Sequence, residues 1–201
     1  AAGIVIGVDR RITADRHVLG HLAVVVAGTD LNPGREFARR LGESGVEGLC
    51  EGPVLEGQAV ERLLADPATL KLFHYGRFDI AVMKKAFGVT TAPVWCTKIA
   101  SKLIRTFTDR HGLKYLLADL IGVDVSKQQQ TSDWGAETLT EAQKEYAASD
   151  VLYLHQLKAE LEARLIREDR LDLAQRLFAF LPTRAELDLL GWEDTNDIFL
   201  H

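Results

Sequence analysis

Apolar residues recur at helical spacing between positions 141 and 167. Val151, Leu154, Leu157 and Leu161 are separated by three or four residues and would lie on one face of a helix. The preceding Thr-Glu-Ala-Gln at 140–143 is typical of a capping box, in which the Thr and Gln side chains satisfy free amides at a helix start. The pattern predicts one long helix over 141–167, with its apolar face against a core.

Elsewhere, short apolar runs are followed by amphipathic stretches, which is typical of an α/β protein. The apolar runs predict strands over 4–8 and 70–75. Amphipathic periodicity predicts helices at 58–64, 79–87, 97–106, 112–121, 170–180 and 184–190. Gly88 ends the helix that starts at Asp79, and Gly122 and Pro182 are the clearest further breaks. No repeat, low-complexity tract or linker divides the chain, so we expect one domain over 1–201, in which 181–201 is a C-terminal extension.

Tyr146 and Asp150 stand four residues apart near the start of the predicted long helix. This spacing places a phenol and a carboxylate on the same helix face. A carboxylate held on a rigid element can bind a metal ion, and a phenol one turn away can orient a water, as metal-dependent phosphodiester hydrolysis requires. Taken alone, the pair fits ordinary packing beside a solvated acid equally well.

A second acid, Asp79, is placed differently. It falls in the first turn of a predicted helix that directly follows the strand at 70–75. In α/β sheets, ligands gather at the carboxyl ends of the strands, so Asp79 is a candidate site residue. The alternative is an acid that only favours the helix dipole.

Three ordered motifs carry a resemblance to a known family. They are His-Tyr-Gly-Arg-Phe-Asp at 74–79, Ser-Lys-Gln-Gln-Gln-Thr-Ser-Asp-Trp at 126–134 and Glu-Tyr-Ala-Ala-Ser-Asp at 145–150. Together they resemble successive motifs of the ribonuclease D branch of the DEDD 3′–5′ exonucleases, and most closely its short alphaproteobacterial members, the nano-RNase C group. The resemblance extends from about residue 59 to the C-terminus. It implies a ribonuclease H-like fold, a mixed α/β sheet flanked by helices.

The resemblance also implies an activity and its residues. The chain would hydrolyse RNA, chiefly very short single-stranded RNA, from the 3′ end to nucleoside 5′-monophosphates, and DNA ends are a second candidate substrate. Asp79 and Asp150 would bind two Mg²⁺ or Mn²⁺ ions, which prefer carboxylate and water oxygens. Tyr146 would orient the attacking water, Lys127 would contact phosphate and Trp134 would pack beside the site. The short members of the family form homo-oligomers, so we expect one here.

The first 58 residues depart from the family, whose opening strand carries Asp-x-Glu. No Asp-x-Glu occurs in the sequence, and the nearest candidate is Asp9, which ends an apolar run and is followed by Arg10 and Arg11. Residues i and i+2 of a strand face the same side, so Arg11 would bring a cation toward the metal. The segment is either a divergent version in which Asp9 survives, a misread or rearranged replacement, or a sign of lost catalysis.

Two functions follow from this departure. With fewer carboxylates for two divalent ions, we expect cleavage by this chain to be weak or absent. The alternative function is a family member that keeps the fold and surface but acts as a nucleic-acid-binding or assembly protein.

Charge is distributed unevenly along the chain. The formal net charge is −5, which does not favour a general grip on nucleic acid. Between 95 and 117, however, five Lys or Arg residues stand against one acid, and Arg110 and His111 lie in this segment. We expect these two residues to contact RNA, and the alternative is a solvated helix face. Two unpaired cysteine positions and no membrane-spanning segment favour a cytoplasmic protein without a membrane partner.

Overall fold

The structure is a computed structural model that describes residues 3–7, 23–27, 57–125, 140–192 and 196–200. Within these ranges, side chains are described from residue 60 onward, except at 144, 145 and 147–150.

Four strands are described, namely β1 Gly3–Gly7, β2 Ala23–Ala27, β3 Leu70–Phe73 and β4 Val94–Cys96. They form one mixed sheet in the order β2-β1-β3-β4. β1 is antiparallel to β2 and parallel to β3, with Val5 opposite Leu72. β4 is parallel to β3. The N-terminal strand predicted over 4–8 is present as β1 and lies between β2 and β3, and β1, β3 and β4 end at the same edge of the sheet.

Seven helices lie within the described ranges. They are α1 Gly57–Ala65, α2 Gly76–Phe87, α3 Thr97–Ile104, α4 Leu113–Ile121, α5 Glu141–Leu152, α6 Leu154–Arg167 and α7 Leu171–Leu189. α2 connects the parallel strands β3 and β4, and α3 follows β4 directly. Among these helices, none combines the length and apolar composition needed to cross a bilayer.

The core lies where α6 and α7 meet the sheet and the other helices. The predicted apolar stripe is confirmed: Leu154, Leu157 and Leu161 of α6 are buried. α6 packs on α3 and α4, whereas α7 packs on α2 and β4. Trp95 and Phe178 join β4 to α7, with ring centroids 4.9 Å apart.

The predicted long helix is wrong in one respect, because it breaks at Tyr153. This residue has φ −96° and ψ 0°, outside the helical region, and separates α5 from α6. The predicted capping box does begin α5, since Gln143 N donates to Thr140 Oγ1 at 3.3 Å and Thr140 N donates to Gln143 Oε1 at 2.8 Å. α5 packs mainly on β1 and β2, whereas α6 packs mainly on α3 and α4.

The predicted helix break at Pro182 is also wrong. α7 runs without interruption from Leu171 to Leu189 with Pro182 inside it. Phe178, Leu181 and Ala185 bury one face of this helix on both sides of the proline. Burial of that continuous face outweighs the hydrogen bond that proline cannot donate.

Lys71 of β3 is a fully buried cation away from the edge where β3 ends. Its Nζ donates to the carbonyl oxygens of Asp66 at 2.7 Å and Ala92 at 2.5 Å. Burial lowers the pKa of Lys71 to about 8, although Asp66 acts in the opposite direction. Lys71 thus joins the end of α1 to the loop before β4.

This buried lysine predicts a specific pH dependence of stability. Between about pH 8 and the ordinary lysine pKa, the unfolded chain holds a proton on Lys71 that the folded chain has released, so folding becomes more favourable as pH rises. We expect the free energy of unfolding to rise by about 2 kcal/mol across this window. This is less than the whole pKa shift would give, because both carbonyl groups favour the charged ammonium in the folded chain. Urea unfolding from pH 7.5 to 10.5 measures it, and Lys71→Met should remove the slope; equal slopes in both proteins would contradict the prediction.

Candidate active site

The chain turns sharply between β3 and α2. Tyr75 has φ 69°, in the left-handed region, and the strand ends at Phe73 rather than at the predicted residue 75. α2 then begins at Gly76. Lys98 Nζ lies 3.9 Å from the centroid of the Tyr75 ring, so α3 covers this turn with a cation. The turn directs the first residues of α2 to the carboxyl edge of the sheet.

Gly76 is required by close packing inside this turn. A Cβ at this position would lie 2.8 Å from Phe73 Cβ, which is too close for two carbon atoms. Phe73 is fully buried and cannot move aside easily. The glycine therefore lets α2 start directly above the end of β3.

Gly76→Ala should destabilise the fold by about 1–2 kcal/mol, because the steric cost of overpacking exceeds the entropic gain from removing a glycine. Chemical denaturation measures this difference. Gly112→Ala is the control for an added methyl group without a clash, since a Cβ there would meet nothing nearer than Tyr115 Cδ2 at 3.6 Å, and it should cost only the small N-cap preference for glycine over alanine. Equal stability of the two variants would show that the contact with Phe73 is relieved at little cost.

Asp79 lies in the first turn of α2, as predicted. Its side chain is buried, with only 6% of the residue exposed. A buried carboxylate is costly unless it is neutralised or hydrogen-bonded, and the first turn of a helix is a favourable place for its charge. This position at the end of a parallel strand makes Asp79 the described carboxylate best placed to bind a ligand.

His74 and Thr97 join the ends of β3 and β4. His74 Nδ1 lies 2.9 Å from Thr97 Oγ1, and this hydroxyl also donates to the carbonyl oxygen of Phe73 at 3.2 Å. Thr97 is fully buried. The two contacts fix the edge of the sheet from which α2 and α3 start.

The second half of the predicted site is on α5. Tyr146 is half-buried on this helix, and α5 packs on β1 and β2. The backbone of Asp150 lies one helical turn further along α5, as predicted, but its side chain lies outside the described residues. The helix that carries Tyr146 therefore lies against β1, the strand that pairs with β3.

The carboxylate chemistry of this edge suits a hard divalent cation such as Mg²⁺ or Mn²⁺. The structure supplies one observation in favour, the buried carboxylate of Asp79. Within the described side chains, no three His, Cys, Asp or Glu residues gather closely enough to hold a metal alone. The side chains of Asp9 and Asp150, the other two predicted or candidate ligands, lie outside those that the structure describes.

The basic segment folds as α3, the following loop and the start of α4. His111 Nδ1 lies 2.9 Å from Ser101 Oγ of α3. Burial lowers the pKa of His111, and the nearby Lys102 and Arg105 lower it further. His111 is therefore mainly neutral at pH 7, so its ring can hydrogen-bond but does not add to the positive charge of this segment.

Arg105 and Arg110 occupy two different environments in this segment. The exposed Arg110 stacks on Tyr115, with its guanidinium carbon 4.2 Å from the ring centroid. Arg105 is buried and donates to Asp119 Oδ2 at 2.5 Å. Arg110 is thus available at the surface, as an RNA contact requires, whereas Arg105 joins α3 to α4.

Three sequence candidates lie outside the described residues. They are Asp9, Lys127 and Trp134. Their roles stay predictions.

Two residues that shape this edge were missed in the sequence, namely Gly76 and Thr97. Gly76 directly follows the predicted strand at 70–75, whereas Thr97 follows β4, a strand that the sequence analysis did not predict. No local pattern reveals the contact of Gly76 with Phe73.

Known proteins resemble the chain in sequence over its central part. The profile of the 3′–5′ exonuclease family matches residues 52–166, which is more than half of the chain. Ribonuclease D of Acidiphilium cryptum is 41% identical over 110 residues, covering 55% of this chain and 28% of that protein. Ribonuclease D of Granulibacter bethesdensis is 38% identical over 119 residues and is covered to 30% of its length. The chain thus spans less than a third of the length of these relatives.

Solved structures resemble nearly the whole chain. Brucella melitensis NrnC is 44% identical with a TM-score of 0.75, covering 99% of this chain and 90% of that one. A nuclease solved in its apo form is 48% identical with a TM-score of 0.75, covering 99% and 89%. Escherichia coli RNase D has the same fold, with a TM-score of 0.68 and 23% identity. The match covers 92% of this chain and 45% of that one. The ribonuclease H-like α/β fold and the family resemblance are confirmed, and the chain belongs to the 3′–5′ exonuclease family.

Proposed function

We propose that the chain hydrolyses short RNA from its 3′ end and releases nucleoside 5′-monophosphates in a reaction that depends on a divalent metal ion. The observation that carries this proposal is the buried Asp79 carboxylate at the carboxyl edge of the sheet, in a chain of the 3′–5′ exonuclease family. Brucella melitensis NrnC has been solved with bound Mg²⁺ and bound to pGG, which supports the metal and the short substrate.

Asp79 and Asp150 would hold Mg²⁺ or Mn²⁺ in a two-ion site. When bound, the ions would activate the attacking water and stabilise charge on the leaving oxygen. The Tyr146 hydroxyl would hydrogen-bond this water and direct it at the phosphorus. Tyr146 and Asp150 are one turn apart on α5, so a single rigid helix would set the water relative to the metal.

The RNA would lie along the basic segment between β4 and α4. Arg110 would neutralise a phosphate while stacked on Tyr115, and neutral His111 would donate a hydrogen bond. Lys127 would contact a further phosphate and Trp134 would pack beside the terminal base. These local contacts suit a short substrate in a chain with a net charge of −5. DNA ends offer the same phosphates and remain a second candidate substrate.

A second candidate function is nucleic-acid binding or assembly without cleavage. The observation in its favour is the absence of Asp-x-Glu from the sequence. Both functions predict RNA binding, so only product analysis separates them.

A 5′-labelled RNA of two to seven nucleotides, incubated with the chain and Mn²⁺, tests the proposal. We expect slow shortening from the 3′ end, with nucleoside 5′-monophosphates as the released product. Internal cleavage or release of 3′-phosphates would contradict the proposed reaction. Binding of the same RNA without any shortening would favour the binding protein.

We also propose that the chain forms a homo-oligomer through its C-terminal end. Leu190, Ile198, Phe199 and Leu200 expose between 50% and 65% of their surface close together in sequence. Exposed apolar side chains in a group are typical of an interaction surface. Light scattering should therefore give a mass above the 22.3 kDa of one chain, and a monomer at micromolar concentration would contradict this.

A further inference from the structure

The first turn of α2 is held to α7 by a paired ionic contact. Arg77 Nε donates to Asp188 Oδ2 at 2.6 Å, and Arg77 Nη2 donates to Asp188 Oδ1 at 2.6 Å. A fork of two parallel hydrogen bonds fixes orientation as well as distance, which a single contact cannot do. Arg77 stands two residues before Asp79, whereas Asp188 lies near the end of α7.

Asp188 is itself held by further charges. Arg184 Nη2 lies 3.0 Å from Asp188 Oδ1 and also donates to Asp197 Oδ2 at 2.9 Å. Arg184 Nη1 donates to the carbonyl oxygen of Trp192 at 3.0 Å. The side chains of Arg184 and Asp188 are only 9% and 13% exposed, so solvent screens this network weakly. Two arginines and two aspartates thus form a neutral, rigid support under the start of α2.

The geometry of a helix separates the support from the carboxylate. Residues two apart are turned by about 200°, so Arg77 and Asp79 leave α2 on nearly opposite sides. Asp79 therefore projects away from the face that Arg77 fixes against α7. Apolar packing of α2 on α7 holds the helices together, but it is non-directional and sets the rotation of the first turn only loosely.

We propose that Arg77 and Asp188 are positioning residues, which fix the rotation of the first turn of α2 and so aim the Asp79 carboxylate at the metal. This inference rests on the proposed metal-dependent function. Neither residue contacts the metal or the RNA, and both act through Asp79. A group that supports a metal ligand from outside typically contributes about 10- to 100-fold to metal affinity or activity.

Asp188→Asn is the decisive variant, because it keeps the shape of the side chain and removes its charge. Isothermal titration with Mn²⁺ should show binding about tenfold weaker or more, a typical effect of losing such a support. kcat for short RNA should fall while KM stays unchanged, since the RNA contacts lie elsewhere. Unchanged Mn²⁺ affinity in Asp188→Asn would overturn the proposal, whatever its thermal stability.

The matched control is Asp172→Asn on the same helix. Asp172 pairs with Arg176 at 3.1 Å, but both side chains are largely exposed and lie toward the opposite end of α7 from Asp188. This variant should bind Mn²⁺ and turn over RNA like the wild type. A similar loss in Asp172→Asn would overturn the proposal, because it would show a general effect of charge on α7.

Arg77→Lys keeps the positive charge and the pair of Asp188 with Arg184, but it loses the fork. It covers the case in which Asp188→Asn does not fold, and it should weaken Mn²⁺ binding to an intermediate extent. A folded Arg77→Lys that binds Mn²⁺ as tightly as the wild type would overturn the role of the fork.

The wild-type chain itself separates this inference from the proposed function. If it binds Mn²⁺ but does not cleave RNA, only the proposed function is refuted, since Mn²⁺ affinity still reports on positioning. Wild-type chain that does not bind Mn²⁺ would overturn both.

Discussion

Asp79→Asn should abolish the Mn²⁺-dependent release of nucleoside monophosphates from short RNA while the chain stays folded. Asparagine has nearly the same shape as aspartate, but it removes the charge that would hold the ion. Losing this charge raises the barrier by several kcal/mol, and each ~1.4 kcal/mol is tenfold in rate, so a fall of about 10³-fold or more is expected. End-labelled RNA resolved by electrophoresis measures the rate.

The stability of Asp79→Asn separates this role from a structural one. Asparagine fits the buried position of Asp79 with nearly the same shape, so Asp79→Asn should still unfold in one cooperative transition near the wild-type melting temperature. Mn²⁺ binding should be lost in titration calorimetry, which remains informative if the wild-type rate is low. Asp172→Asn is again the control. An Asp79→Asn protein that cleaves at the wild-type rate would remove Asp79 from the site.

Tyr146→Phe should reduce cleavage by about 100-fold or more, which is the usual contribution of a group that positions or transfers a proton in the transition state. The ring stays in place on α5, so only the hydroxyl is lost. Mn²⁺ affinity should be unchanged, because the proposed role of Tyr146 is toward the water. Single-turnover rates at saturating Mn²⁺ measure this effect.

Tyr153→Phe is the matched control for Tyr146, because Tyr153 is also half-buried and lies at the end of the same helix. It should cleave at the wild-type rate. Equal rates in Tyr146→Phe and the wild type would mean that the hydroxyl does not orient the attacking water.

The local parts of the fold could be predicted from sequence because their causes are local. The capping box at Thr140 began a helix as expected, and the apolar stripe through Leu157 was buried. Asp79 fell in the first turn of a helix after a strand, because apolar and amphipathic segments follow each other there. The existence of β1 was also predictable from its apolar run.

The rest depended on contacts between distant residues. Tyr153 breaks a helix whose pattern continues on both sides, and burial on either side of Pro182 keeps α7 whole. The pair of Arg77 with Asp188 joins residues 111 apart, and that of His74 with Thr97 joins residues 23 apart. Such contacts leave no periodic signal, since either partner alone looks like an ordinary surface residue.

A crystal structure of the chain with Mn²⁺ and a two-nucleotide RNA tests the central claim most directly, because it shows which carboxylates hold the metal. We expect Mn²⁺ at the carboxyl edge of β3, contacted by both Asp79 and Asp150, with the Tyr146 hydroxyl pointing into the same cleft. Two ions share such a site about 4 Å apart, so carboxylates separated by more than about 8 Å would contradict a shared metal centre.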